Sequence, residues 1–598
     1  MRKNFKIPGC VIGNILSVLL FIHPAYAQSK DAASSRIKLN QIGFYPKSIK
    51  KAVVLTENAA PFTIQNITKQ IVFKGNLKES VKPAFSGKTT YIADFTGLKK
   101  TGEYKLYIEG LGYSYPFFIN NNVHQKIAAG VVKAYYFMRA STPLPSKYAG
   151  KWARTEGHPD TSVLIHPSAA SDKRPAGFII SSPRGWYDAG DYNKYVVNSG
   201  ISTSTLLSLY EDFPAYMKTV KLNIPESGNG LPDLLNEVLW NLRWMLTMQD
   251  PNDGGVYHKL TNAAFDKFEM PDKDKTPRYV VQKGTAAALD FAAVTAQAAR
   301  IFKQFPQQLP GLADSCLKAS KSAWKWAAEY PNVAYRQDEN NRKFNPSVTT
   351  GAYGDNTFTD EFIWAASELF VTTHDDAYLK HINLLPDDRM PVPSWAQVKL
   401  LGYYTLLKNE GRVKEITDLP EIKKRLLAAS DELINGVEDN AWQTSMTLSA
   451  KHFGWGSNSD AANEGVMLLQ AYKLTNDKKY LNNALADLDY LLGRNATGYC
   501  YVTGYGSKTP MHPHHRPSAS DGVVDPIPGL LVGGPNPGMQ DGIKVPSKVP
   551  DEAYIDDTRA YAANEITINW NAPIAYLANA IEALQAELGS TPESKSTK

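Results

Sequence analysis

The stretch "GTAAALDFAAVTAQAARIF" (284–302) repeats its apolar residues every three or four positions, the signature of a helix that buries one face. Four further stretches share that period: "LPDLLNEVLWNLRWMLTMQD" (231–250), "DEFIWAASELFVTT" (360–373), "EGVMLLQAYKLT" (464–475) and "KYLNNALADLDYLLG" (479–493). Long Gly-, Pro- and Asn-rich segments run between them and hold the densest clusters of polar and aromatic residues. Long loops on a regular scaffold are where function concentrates. The repeated helices predict an all-α body over residues 122–588, with closure into a barrel of helices as one solution.

Upstream the texture differs. "KAVVL", "FTIQNI", "QIVFKG", "TYIADF", "GEYKLYIEG" and "YSYPFFI" are short β-branched and aromatic runs separated by turn residues, so residues 36–120 read as a small β-sandwich. Before it, Arg2, Lys3 and Lys6 precede the apolar run Val11 to Ile22 and the small-x-small site Ala25-Tyr26-Ala27. That order predicts a signal peptide over 1–27, cleaved after Ala27, and a protein released to the periplasm or the medium. The apolar run is short for a bilayer span. The tail 589–598 is polar and expected to be disordered.

Composition sets limits. Across 598 residues the formal charge is +6, and part of that excess lies in the leader, too little to argue for nucleic acid. Beyond Cys10 only Cys316 and Cys500 remain, so neither a disulfide framework nor a four-thiolate metal site is available. Whether those two pair is open at this level.

Three loop clusters carry the chemistry. In "GWYDAGDYNKYV" (185–196), Gly190 lets the chain turn so that Asp188 and Asp191 converge, and like charges held close raise the proton affinity of one of them. Such a pair suits a general base holding a water; an Asp-Gly turn or a cation-binding loop is the alternative. In "GRNATGYCYVTGYGSKTPMHPHHRPS" (493–518), His512, His514, His515 and Arg516 suit hydrogen bonding to a polar ligand, with surface histidines or a metal site, Asp521 included, as the alternatives. In "YIDDTRAYAANEITINWNAPIAY" (554–576), Pro573 is read as opening the last helix, which puts Glu565 in the approach to it among Tyr561, Asn564 and Trp570. A half-buried carboxyl there is either a general acid or a helix cap.

Together these clusters resemble glycoside hydrolase family 9, the endoglucanase family that cleaves β-1,4-glucans with inversion. "DAGDYNK" fits its base motif, the run from Cys500 to Arg516 its histidine signature, and Tyr554-x-Asp556 with Tyr561 and Glu565 its acid signature. "IKLNQIGFYPKSIKKAVV" (37–54) is similar to the start of the immunoglobulin-like module that precedes many such domains. The resemblance implies an (α/α)6 barrel with a cleft at one end. It makes Asp191 the catalytic base, Asp188 a holder of the attacking water and Glu565 the acid. Through it His514, Arg516, Tyr561, His258 and Trp455 become sugar contacts, and Asp556 an organiser of the Glu565 loop. No cofactor is required for the chemistry. A structural calcium ion is implied near Asp355, Asp360 and Glu361, although a further acid of the relatives is replaced around Ala396 and Gln397. Ser459 and Asp460 stand where many relatives have an Arg-Tyr pair, so part of the cleft is expected to differ chemically.

The reading is thus a secreted, inverting endo-β-1,4-glucanase for cellulose-like, xyloglucan or mixed-linkage glucans. It is expected to be a monomer with a polysaccharide or oligosaccharide substrate and neither nucleic acid nor a membrane span. Its rivals are an exo-acting glycosidase of the same family, of glucosidase or glucosaminidase type, and an inactive glycan-binding protein.

Overall fold

A computed structural model describes residues 33–413, 416 and 418–589. The expected signal peptide and residues 590–598 of the tail lie outside the described residues.

The N-terminal lobe is a sandwich of two sheets. One orders the strands Ile37–Lys38, Lys51–Leu55, Thr90–Asp94 and Lys78–Glu79; the other is built around Gly102–Ile108, flanked by Phe117–Ile119 and Pro61–Asn66. Strand "KAVVL" is apolar after Lys51 because both of its faces are covered. Ala52 and Val54 join the core between the sheets, while Val53 points the other way and packs with Ile92 and Trp442 of the helical lobe. Polar side chains fix the same contact. The Asn40 amide donates to Asp489 (2.7 Å), the Gln41 carbonyl oxygen accepts the Ser507 and Lys508 amides (2.8 Å each), and the Tyr45 hydroxyl donates to Glu582 (2.6 Å).

The helical lobe is an α/α barrel. Its inner helices Ile568–Ala583, Val196–Asp212, Thr285–Phe302, Thr359–Thr373 and Lys399–Lys408 pack each on the next, and Ser457–Thr475 packs on Ile568–Ala583. Gln125–Phe137, Asp233–Thr247, Leu312–Glu329, Leu419–Ile434 and Lys478–Leu491 pack against them from outside. Small residues permit the close inner packing: a β-carbon on Gly200 would sit 3.0 Å from Cβ of Asp290. Two of the hydroxyls buried there are satisfied locally: Ser202 donates to the Asn198 carbonyl (2.6 Å) and Ser204 to Gln297 (2.8 Å).

The helical barrel stands as expected, but two local details differ. Its loops are not free of strands: they contain a five-stranded sheet in the order Ile179–Ile180, Val163–Ile165, Arg278–Val280, Lys259–Asn262, Lys194–Tyr195. Its strands span two to four residues, too few for a period of two to register in sequence. Pro573 does not open the last helix either; it lies inside Ile568–Ala583, whose first turn is capped by the Thr567 hydroxyl accepting the Asn569 amide (3.2 Å). Cys316 and Cys500 are separate buried thiols.

Candidate active site

The site lies where loops enter the N-terminal ends of the inner helices. Asp188 and Asp191 come just before Val196–Asp212, Tyr353 before Thr359–Thr373, Trp395 before Lys399–Lys408, Trp455 before Ser457–Thr475, and Glu565 before Ile568–Ala583. Their side chains line one cavity of about 770 Å³.

Gly190 is the point at which the three sequence clusters meet. Its amide donates to Glu565 Oε1 (3.3 Å), and its carbonyl accepts from the Arg516 amide (3.0 Å) and Nη1 (2.7 Å). A β-carbon there would lie 2.3 Å from the His514 carbonyl oxygen and 3.1 Å from Glu565 Oε1, so only glycine permits the approach. The acid is presented by an extended link between helices Tyr561–Asn564 and Ile568–Ala583, with His514 running parallel beside it. The Ile568 amide then donates to the Asp188 carbonyl (2.8 Å), closing the Glu565 segment on the Asp188–Asp191 turn.

Electrostatics separates the roles. Burial, and then the neighbouring Asp191, push Asp188 up to about 8. It accepts both contacts of the Asn198 amide (2.9 and 3.1 Å) and the Tyr353 hydroxyl (3.1 Å). Asp191 accepts from the Asn193 amide and, at 3.5 Å, from the Tyr195 hydroxyl. Raised in this way, Asp188 keeps its proton at neutral pH and adds no second full charge to the turn. Glu565 is raised well above the usual carboxylate range by burial and by Asp191 and Asp188, so it keeps its proton and can give it up.

The remaining expected residues divide. Trp455, about half exposed, and Tyr561 form an aromatic corner with ring centres 5.5 Å apart. His514 Nδ1 faces the Thr558 carbonyl (2.6 Å), which makes it the donor and leaves Nε2 as an acceptor. Arg516 reaches the cavity, but Nε and Nη2 donate to the Asp266 carbonyl (3.0 and 2.9 Å) and Nη1 to Gly190, so it is above all a clamp. Asp556 accepts the Met511 and His512 amides (2.7 and 2.8 Å) and the Asn564 amide (3.2 Å), tying the histidine segment to the residue before Glu565.

His258 does not reach the cavity. It is buried, stacked on Tyr335 (4.2 Å), with Nε2 on the Ala352 carbonyl (2.8 Å), and burial lowers it to about 3. It supports the wall 349–353 from behind. Ser459 and Asp460 lie within helix Ser457–Thr475 and likewise do not line the cavity, so the expected difference in the cleft is not located there.

The calcium expectation meets an uneven fit. Asp290 and Glu361 are both raised well above their usual range by burial, with Asp360 and Asp355 adding to it. Both Asp290 oxygens and Glu361 Oε2 are buried without a hydrogen-bond partner. Asp360, however, accepts the Val398 amide (2.9 Å), and Asp355 accepts those of Asn356 and Thr357 (2.6 and 3.1 Å). Among the described residues no three such side chains are arranged to hold a metal ion.

Sequence reasoning missed Tyr353, Trp395 and Phe265, which line the cavity beside the already noted Trp570, and Asn198, which holds Asp188. The signal for Tyr353 was an aromatic residue inside the Gly-rich run "GAYGDN", where the backbone takes φ of +45°. Its hydroxyl positions Asp188, so Tyr353→Phe is expected to lower kcat about tenfold with KM nearly unchanged, as measured by steady-state kinetics on a soluble glucan.

Comparison with known proteins identifies the class. Residues 124–578 match the model of glycosyl hydrolase family 9, and residues 32–113 that of the cellulase N-terminal ig-like domain. The chain therefore belongs to glycosyl hydrolase family 9, a family of inverting, cellulase-type enzymes. It is 46% identical over 552 residues to a xyloglucan-specific endo-beta-1,4-glucanase of Bacteroides ovatus, covering 92% of this chain and 94% of that one. Endoglucanase D of Acetivibrio thermocellus is 33% identical, with 91% and 82% covered. A solved Bacteroides ovatus family 9 structure superposes with a TM-score of 0.88 at 44% identity, covering 92% of this chain and 99% of that chain.

Proposed function

We propose that this chain is an inverting endo-β-1,4-glucanase whose substrates include xyloglucan, with Glu565 as general acid, Asp191 as general base and Asp188 as its water-holding partner. The observation that carries the reading is the meeting of Glu565 with the Asp188–Asp191 turn at Gly190, inside an aromatic-lined cleft. Glu565 gives its proton to the glycosidic oxygen as the bond from C1 to that oxygen breaks. Water attacks C1 from the opposite face and loses a proton to Asp191, and one inverted hemiacetal results. Inverting enzymes hold the two carboxyls about 6.5–9.5 Å apart to seat that water. Asp188, itself raised, keeps the turn from carrying two full charges.

The similarity to a xyloglucan-specific enzyme supports the choice of substrate. The leader-like order of residues 1–27 supports export, and no helix among the described residues is long and apolar enough to cross a membrane. The test is hydrolysis of xyloglucan followed by viscometry and proton NMR. Early loss of viscosity and first-formed α-anomeric reducing ends are expected; β-anomers appearing first would overturn the mechanism, and release of single terminal sugars the endo assignment.

A further inference from the structure

Residues 263–277 link strand Lys259–Asn262 to strand Arg278–Val280 of the small sheet, and they project two large rings. Phe265 is 51% and Phe268 47% exposed. Exposed rings of this size call for an explanation when they are held in place. These are held: the Arg516 guanidinium lies 5.9 Å from the Phe265 ring centre and 5.2 Å from that of Phe268 while it grips the Asp266 carbonyl between them. Phe268 also meets the His514 ring edge-on at 5.2 Å. At the root of the loop, Asn262 Nδ2 donates to Asp274 (2.7 Å) and Thr276 (2.8 Å), and His158 Nε2 pairs with Asp274 (2.9 Å). One arginine thus fixes both the catalytic turn at Gly190 and the Phe265–Phe268 tip.

Phe265 lines two spaces at once: the catalytic cleft and a second cavity of about 690 Å³ lined by residues 262–267, Glu269, residues 273–277 and Tyr279. That volume falls within the usual range of about 300–1,000 Å³ for small-ligand sites. Its lining surface is mainly apolar, and the charged side chains around it balance, with Lys267, Lys273 and Lys275 set against Asp266, Glu269 and Asp274, so it offers a ring face and a few hydrogen bonds without selecting a charge. A sugar joined to a β-1,4-glucan through O6 projects sideways from the main chain, and here the space beside the cleft is one ring away.

We propose that this second cavity is a subsite for a neutral pyranose branch, and that Phe265, standing between main chain and branch, is the residue by which the enzyme distinguishes branched from unbranched glucan. The proposal rests on the endoglucanase reading and deepens it.

Ala264 is exposed and lines the second cavity but not the cleft, so Ala264→Trp fills the branch site alone. The expected result is about a tenfold or greater fall in kcat/KM on xyloglucan with kcat/KM on unbranched mixed-linkage glucan within about twofold of wild type, and an unchanged melting temperature. Phe265→Ala is expected to lower the xyloglucan-to-mixed-linkage ratio of kcat/KM by a similar factor. Parallel losses on both polymers, or no loss on xyloglucan, overturn the subsite, as does a wild-type enzyme that cleaves only unbranched glucan. A wild-type enzyme that cleaves neither polymer sinks the endoglucanase reading itself, and the two failures are distinguishable.

Discussion

Glu565→Gln is expected to lower kcat on a natural glucan by about 10²–10⁴-fold, leaving KM and the circular dichroism spectrum close to those of the wild type. The amide keeps the shape and the contact with the Gly190 amide but has no proton to give. The loss should shrink on an aryl glycoside, whose leaving group departs without protonation, and an equal loss on both substrates would remove Glu565 from the acid role. The same residue sets the alkaline limb. Its proton is held well above the ordinary carboxylate range, so activity should persist past the usual carboxyl pKa and fall only as pH rises through the raised value. For stability the sign is also fixed: the folded state binds this proton more tightly than the unfolded chain, so the group favours folding at low pH and costs stability as pH climbs above the unfolded carboxyl value of about 4.3. Glu565→Gln should therefore melt higher than wild type at neutral pH, read by differential scanning calorimetry.

Asp191→Asn is expected to cost a similar factor, about 10²–10⁴-fold in kcat, but evenly across leaving groups, because activation of water is needed whichever group departs. The side chain accepts from Asn193 and Tyr195, and an asparagine oxygen can keep those bonds, so the turn should hold its shape. Kinetics on the glucan and the aryl glycoside, side by side, separate the two residues. A variant that loses activity on the polymer alone would mean that Asp191 serves the leaving group and that the poles have been exchanged.

Much of this site was legible in advance because its chemistry sits in short runs. "DAGDYNK" places two acids around a glycine, and the close approach at Gly190 is the physical reason a glycine belongs there. The acid segment was found through Glu565 and its aromatic neighbours, although its local structure was misread: Pro573 suggested a helix start, whereas Thr567 supplies the cap six residues earlier. Tyr353 escaped because its role depends on a hydroxyl brought 3.1 Å from Asp188 by a loop 165 positions away, a contact with no local pattern. His258 misled for the opposite reason: its neighbourhood is polar and loop-like, yet the small sheet folds it under the wall and stacks it on Tyr335. The helices were visible through a period sustained over many turns, while strands of two to four residues offered none.

The join between the two lobes has a consequence for how the enzyme meets a polymer. Asn40, Gln41 and Tyr45 reach into the barrel wall, and Val53 packs against Trp442, so the sandwich is riveted rather than hung on a tether. A module held that way cannot swing out to catch a distant strand and reel it in. Among the described residues it therefore acts as a fixed flank of the barrel, and the cleft meets its polymer with that flank always in the same place.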